Sequence, residues 1–152
     1  MIDIKKVVAL SYEGEEWKQI PDFPNYLISN FGRLYGGRFN RINNGEVNKK
    51  GYRIYELYSD AFPNGKKLRA CRLVAEAFCK GYAPDMEVHH CNFNKLDDNA
   101  CNLMWVTHEQ HVAIQATKYK RSHKIECFSL NDIRKYTKAI RSSAENSAQT
   151  TK

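Results

Sequence analysis

The chain has 152 residues, enough for one compact domain or two small modules. A hydrophobic fraction of 42%, with two Trp, nine Tyr and seven Phe, can build a core, and no apolar run reaches the length of a membrane span. The formal net charge of +7 argues against strongly basic partners and leans toward polyanions, meaning nucleic acid or an acidic membrane surface.

Five cysteines form an odd set with no C-x-x-C pair, so neither a disulfide framework nor a zinc ribbon is indicated. The opening Met-Ile-Asp-Ile-Lys-Lys has no basic start followed by a long apolar stretch, the mark of a signal peptide. A soluble, intracellular protein with no membrane partner is expected.

In chain order, residues 1–16 read as a leader or a short edge strand. "WKQIPDFPNYLISNFGRLY" (17–35) breaks into short strands around two prolines and a Ser-Asn-Phe-Gly turn. Residues 36–51, rich in Gly, Asn and Arg, are expected to be a mobile loop. "GYRIYELYS" (51–59) is a strand, and Asn64-Gly65 signals the turn into a return strand. Ala70, Leu73, Val74, Ala77 and Phe78 recur at helical spacing, and Gly81 and Pro84 stop that helix.

A short strand over Met86–Val88 ends at a histidine pair. Cys91–Cys101 is a polar loop, "LMWVT" (103–107) a second strand, and Thr107 with Gln110 caps a following helix. Beyond Lys118 the chain turns basic, and its last residues, "SSAENSAQTTK", read as frayed or disordered.

His89 and His90 are neighbours on a strand end and so point to opposite sides of it. His111 falls near the start of the helix that follows. One histidine of the pair can share a divalent ion with His111, 22 positions on, leaving positions open for water and substrate oxygens. An imidazole in the other position can take a proton from an attacking water. Asn102, at the end of the loop, is placed to hold that ring by its second nitrogen.

Val88-His89-His90, Asn94-Lys95-Leu96, Asn102-Leu103, Trp105-Val106-Thr107-His108 and His111 together resemble the HNH, or ββα-metal (His-Me finger), nucleases of the homing-endonuclease branch. "RLVAEAF" also matches the helix that commonly precedes the motif, with Cys71 where relatives often carry His; no catalytic role is assigned to it. The loop Cys91-Asn92-Phe93 departs from the usual Gly- and Asp-rich turn. "EEWKQIPDFPNYLISNFGRLY" resembles the nuclease-associated modular motif found N-terminal to such domains. "IECFSLNDIRKYTKAIRSSAE" resembles, more weakly, a C-terminal helical DNA-binding module cut short.

The resemblance implies an α+β protein in three parts. These are a small β-rich DNA-binding module (15–50), an HNH nuclease core (51–118) and a basic helical segment with a polar tail (119–152). It implies His89 and His111 as metal ligands, His90 as general base and Asn102 as the residue that holds it. Mg2+ or Mn2+ would be the working ion, although imidazole ligands also suit Zn2+ or Ni2+ in a crystal. The activity implied is hydrolysis of a DNA phosphodiester to 5′-phosphate and 3′-hydroxyl ends, by a monomer or a homodimer on double-stranded DNA, in a prokaryote- or phage-like setting. Arg33, Arg38, Arg41, Lys49, Lys50 and Arg53, opposed by Glu46 alone, are expected to contact phosphate, as are Lys118, Lys120 and Arg121.

Blander assignments stand beside these. Asn92, Asn94, Asp97, Asp98 and Asn99 read mainly as turn formers, with Asp97 or Asp98 a lesser candidate for a metal ligand. Trp105 reads as core packing beneath the histidines, and His108 and His123 as surface or structural residues. The competing functions are a non-catalytic DNA-binding regulator derived from an HNH nuclease, and a nuclease acting on RNA.

Overall fold

The computed structural model describes residues 2–121, with side chains as far as Thr117. It divides into two compact units, residues 1–105 and 106–152. The expected helical module and polar tail beyond residue 121, and the side chains of Lys118, Lys120 and Arg121, lie outside the described residues.

The first unit begins with α1 (Ile4–Leu10). Here the expected leader or edge strand is corrected. Asp3 accepts a hydrogen bond from the Lys6 backbone N–H at 3.2 Å, and Val7 is buried beside Leu27 and Tyr35. A capping acid plus one inward residue per turn suffices for a short helix that packs on its neighbours.

Next comes a four-stranded antiparallel meander, β1 (Trp17–Ile20), β2 (Phe23–Ser29), β3 (Leu34–Gly36) and β4 (Arg41–Asn43). A second antiparallel sheet holds β5 (Glu46–Val47), β6 (Arg53–Ser59) and β7 (Phe62–Arg69). The stretch 36–51 is therefore not one loose loop. Gly36 and Arg41 pair across a turn in which Asn40 adopts φ 47°, a left-handed conformation that Asn tolerates.

The Asn64-Gly65 signal also needs correcting. The β6–β7 hairpin turns between Ser59 and Phe62, and Gly65, at φ 81°, lies inside β7. There the register slips, so that Tyr58 opposes Pro63, Asn64 and Gly65. A β-carbon on Gly65 would meet the Tyr58 ring at 2.8 Å, which explains why the bulge uses glycine.

α2 (Ala70–Phe78) follows β7 directly and buries Leu73, Val74 and Ala75 on its inner face. β8 (Glu87–His90) pairs with β9 (Leu103–Val106), and a 3₁₀ turn (Ala100–Asn102) leads into β9. One core joins both larger sheets, α2 and β9. It includes Phe23, Ile28, Leu34, Tyr55, Leu57, Val74 and Leu103. Fully burying each such side chain contributes on the order of 1.5–3 kcal/mol, so the N-terminal sheet and the histidine strands share one source of stability.

In the second unit, α3 (His108–Arg121) opens on the expected capping box. Thr107 N–H donates to Gln110 Oε1 at 2.9 Å, and Gln110 N–H donates to Thr107 Oγ1 at 3.2 Å. No helix among the described residues is long and apolar enough to cross a membrane.

Candidate active site

β8 brings two histidines to its end, and the pleat separates them. His89 is buried and meets the Phe93 ring edge-on at 5.2 Å. His90 is buried near Tyr52, whose ring centroid lies 6.0 Å away. The unusual turn after the pair has a structural counterpart. Phe93 takes φ 62°, its N–H donates to the His90 carbonyl at 2.9 Å, and its ring packs on His89. A left-handed phenylalanine costs on the order of 1–3 kcal/mol, which packing against the imidazole offsets.

The group facing His90 is Asp98. His90 Nε2 lies 3.2 Å from Asp98 Oδ1, and both side chains are almost completely shielded. Asp98 Oδ2 is buried without a hydrogen-bond partner among the described residues, and Arg53 Nε lies 3.6 Å from it. A buried carboxylate with an imidazole on one oxygen and a guanidinium near the other can fix the ring's orientation.

Asn102, expected to hold His90, is bonded into the connector in this structure. Its carbonyl oxygen accepts from the Asn92 N–H at 3.0 Å. Its amide donates to the Asp97 carbonyl at 2.8 Å and to Asn92 Oδ1 at 3.0 Å. These bonds close the connector on itself from inside, and so hold the loop that delivers Asp98.

A second clamp comes from the N-terminal sheet. Ser29 Oγ accepts from Arg33 N–H at 3.1 Å and shapes the Ser-Asn-Phe-Gly turn. The Asn30 carbonyl accepts from Ala100 N–H at 2.7 Å, and the Gly32 carbonyl accepts from the Tyr55 hydroxyl at 2.8 Å. Burial pushes the Tyr55 phenol up to about 12. A β-carbon on Gly32 would stand 2.6 Å from that of Asp98. Only glycine allows this approach, and its φ of 81° suits only glycine as well.

Cys71, His90 and Asp98 place their potential ligand atoms within 4.8 Å of one another, a group that could hold a metal. The donor chemistry fits poorly. Burial, reinforced by the Asp98 carboxylate, pushes the Cys71 thiol up to about 11, which disfavours the thiolate a metal needs. Arg53 already supplies positive charge to Asp98. The cluster fits an acid–imidazole pair better than a metal centre. His89 and His111 offer nitrogen donors of the kind a divalent ion accepts, His89 at the end of β8 and His111 one turn into α3, where its Nε2 is 3.4 Å from Gln115 Nε2.

Beside His90, Arg69 and Lys95 lie over the neighbouring Tyr52 ring at 4.5 and 4.7 Å from its centroid. These cations were not singled out from sequence, nor was Asp98 as a partner of His90. The Asn-Lys-Leu-Asp-Asp run reads as turn chemistry, and no spacing in it says which acid turns inward. Trp105 is core as expected, but it packs on Tyr82 (5.0 Å between centroids) and under Arg72 (4.7 Å).

The six arginines and lysines expected at phosphate divide. Arg33 is bound into the fold: it pairs with Glu15 at 2.8 Å, donates to the Leu10 carbonyl at 2.9 Å, and stacks over Tyr12 at 4.0 Å. Its guanidinium offsets a carboxylate that has no exposure of its own. Arg53 donates to the Asn44 carbonyl at 2.7 Å and faces Asp98. Arg38, Arg41, Lys49 and Lys50 are exposed.

The chain is similar to known proteins. Residues 69–113 match a family model described as HNH endonuclease, and residues 15–58 match the NUMOD4 motif. The chain is 33% identical over 104 residues to the DNA endonuclease I-HmuI of Bacillus phage SP01, covering 68% of this chain and 59% of that one. It is 38% identical over 108 residues to an uncharacterized HNH endonuclease, L247, of Acanthamoeba polyphaga mimivirus, covering 68% of this chain and 26% of that one. It is 30% identical over 115 residues to the H-N-H endonuclease F-TflII of Escherichia phage T5, covering 73% of this chain and 56% of that one. Thus the chain spans less than two thirds of the length of each of these relatives. A solved structure of I-HmuI, described as showing DNA binding and cleavage, superimposes with a TM-score of 0.65 at 28% identity, covering 81% of this chain and 66% of that one.

Proposed function

We propose that the chain, whose residues 69–113 match the HNH endonuclease model and whose residues 15–58 match the NUMOD4 motif, is a metal-dependent endonuclease that hydrolyses phosphodiester bonds of double-stranded DNA. The observation that carries this reading is the shielded His90–Asp98 pair, 3.2 Å apart, with Arg69 and Lys95 over the adjacent Tyr52 ring.

His90 takes the proton from a water that attacks the scissile phosphorus. Asp98 orients the ring and stabilises the imidazolium that results, as a carboxylate does for a buried general base. Arg53, 3.6 Å from the far oxygen of Asp98, helps hold that side chain in place. Asn102 and Gly32 act one step further out, by fixing the connector. His89 and His111 would hold a Mg2+ or Mn2+ ion, which when bound would supply Lewis-acid stabilisation of developing negative charge. The P–O3′ bond breaks and the departing oxygen takes a proton from solvent water, leaving 5′-phosphate and 3′-hydroxyl ends. Arg38, Arg41, Lys49 and Lys50 hold the duplex by its phosphates, and Lys118, Lys120 and Arg121 extend the contact along α3.

Incubation with supercoiled plasmid DNA and with a structured RNA, each with Mg2+ or with EDTA, tests this. Mg2+-dependent nicking of the plasmid alone, with ends that a ligase can rejoin, is expected. Binding without cleavage would favour the regulator, and preferential cleavage of RNA the third reading.

A further inference from the structure

We infer that the β3–β4 turn is a wedge that pushes Phe39 between stacked bases of duplex DNA while Arg38 and Arg41 hold the phosphates on either side. The inference rests on the proposal that this face meets DNA.

Four observations carry it. Phe39 is 66% exposed at the tip of a hairpin, where a large apolar ring has no packing role. The Arg38 and Arg41 guanidinium carbons lie 5.4 and 5.3 Å from its centroid, so two cations flank one ring. The tip is built to stand firm: the buried Tyr35 donates its hydroxyl to Asn40 Oδ1 at 3.0 Å, which fixes the left-handed residue between Phe39 and Arg41. Behind it, Gly37 N–H donates to the Asn25 carbonyl at 2.7 Å, and a β-carbon on Gly37 would meet that oxygen at 2.9 Å. A rigid turn that presents an aromatic ring between two arginines suits partial unstacking of a base step, with the cations compensated by phosphate. The adjoining cleft of about 710 Å3 is lined by Glu56 and Asp60 as well as by the tip, so negative DNA is favoured on the arginine side of it.

The test uses the full chain carrying His90→Ala, in EDTA, so that the DNA stays intact. A relaxed closed-circular plasmid is treated with a metal-independent type I topoisomerase while the protein is bound, and its topoisomers are then resolved. Insertion underwinds the duplex, so a shift in linking number is expected with Phe39 and with Phe39→Trp. Phe39→Ala should bind a mixed-sequence duplex about tenfold more weakly. At protein concentrations matched for occupancy, it should also lose at least half of the topoisomer shift. An undiminished shift for Phe39→Ala at matched occupancy overturns the wedge. Arg38→Ala and Arg41→Ala separate the two levels: each should lower the salt dependence of binding by about one unit. If they do and Phe39→Ala changes nothing, only the wedge fails. If they leave affinity and salt dependence unchanged, the DNA-facing reading of this surface fails with it.

Discussion

The buried His90–Asp98 pair and the exposed Arg38–Phe39–Arg41 tip are the two charged regions the chain builds with most care, and they are built in opposite ways. At the pair, polar atoms are directed at each other: imidazole to carboxylate, carboxylate to guanidinium, with a glycine pressed against Asp98 to exclude anything else. At the tip, two cations lean on an aromatic ring, and the hydrogen bonding lies behind them, between Tyr35 and Asn40. A group that performs chemistry needs its orientation set before substrate arrives, whereas a group that grips a polyanion needs its charge left for the partner. Arg33 shows the contrast within one residue type. It is as basic as Arg38 and five positions away, yet it is tied to a shielded glutamate.

The comparison can be broken or sharpened by substitution. Most severe should be His90→Ala, which is expected to slow plasmid cleavage roughly 10²- to 10⁴-fold while a gel-shift assay finds duplex binding unchanged. Asp98→Asn keeps the shape of the pair and removes its charge; the cleavage rate at saturating DNA should fall about 10- to 100-fold, with the half-saturating DNA concentration little altered. Arg33→Ala should cost about 3–5 kcal/mol of stability in urea unfolding, because it strands the Glu15 carboxylate. Arg38→Ala should leave the urea midpoint unmoved and weaken DNA binding instead, and equal effects of the two would erase the distinction. Gly32→Ala should cost about 1–3 kcal/mol from its left-handed backbone and slow cleavage by displacing Asp98.

Much of the fold was legible from pattern. The periodicity of Leu73, Val74 and Ala77, the Thr107–Gln110 capping box and the strand pieces around Tyr26 and Tyr55 all stand where local chemistry puts them. α1 was missed because a seven-residue helix has too little periodicity to announce itself, and its stability comes from docking Val7. Asn64-Gly65 misled because an Asn-Gly pair meets the demand for positive φ equally well in a bulge and in a turn. At the site, the histidines were visible as a motif, but the partner of His90 was not. Asp98 lies among five Asn and Asp residues of similar turn propensity, and only the three-dimensional closure by Asn102, Asn30 and Gly32 sends it inward.

The central claim is that His90 and Asp98 act as one catalytic unit, and a double-substitution cycle tests it most directly. Single-turnover cleavage of a supercoiled plasmid would be measured for the native chain, His90→Ala, Asp98→Asn and the two combined. If Asp98 works through His90, the combined variant cleaves no more slowly than His90→Ala alone. A combined loss equal to the product of the two separate losses would contradict the account and assign Asp98 a role of its own.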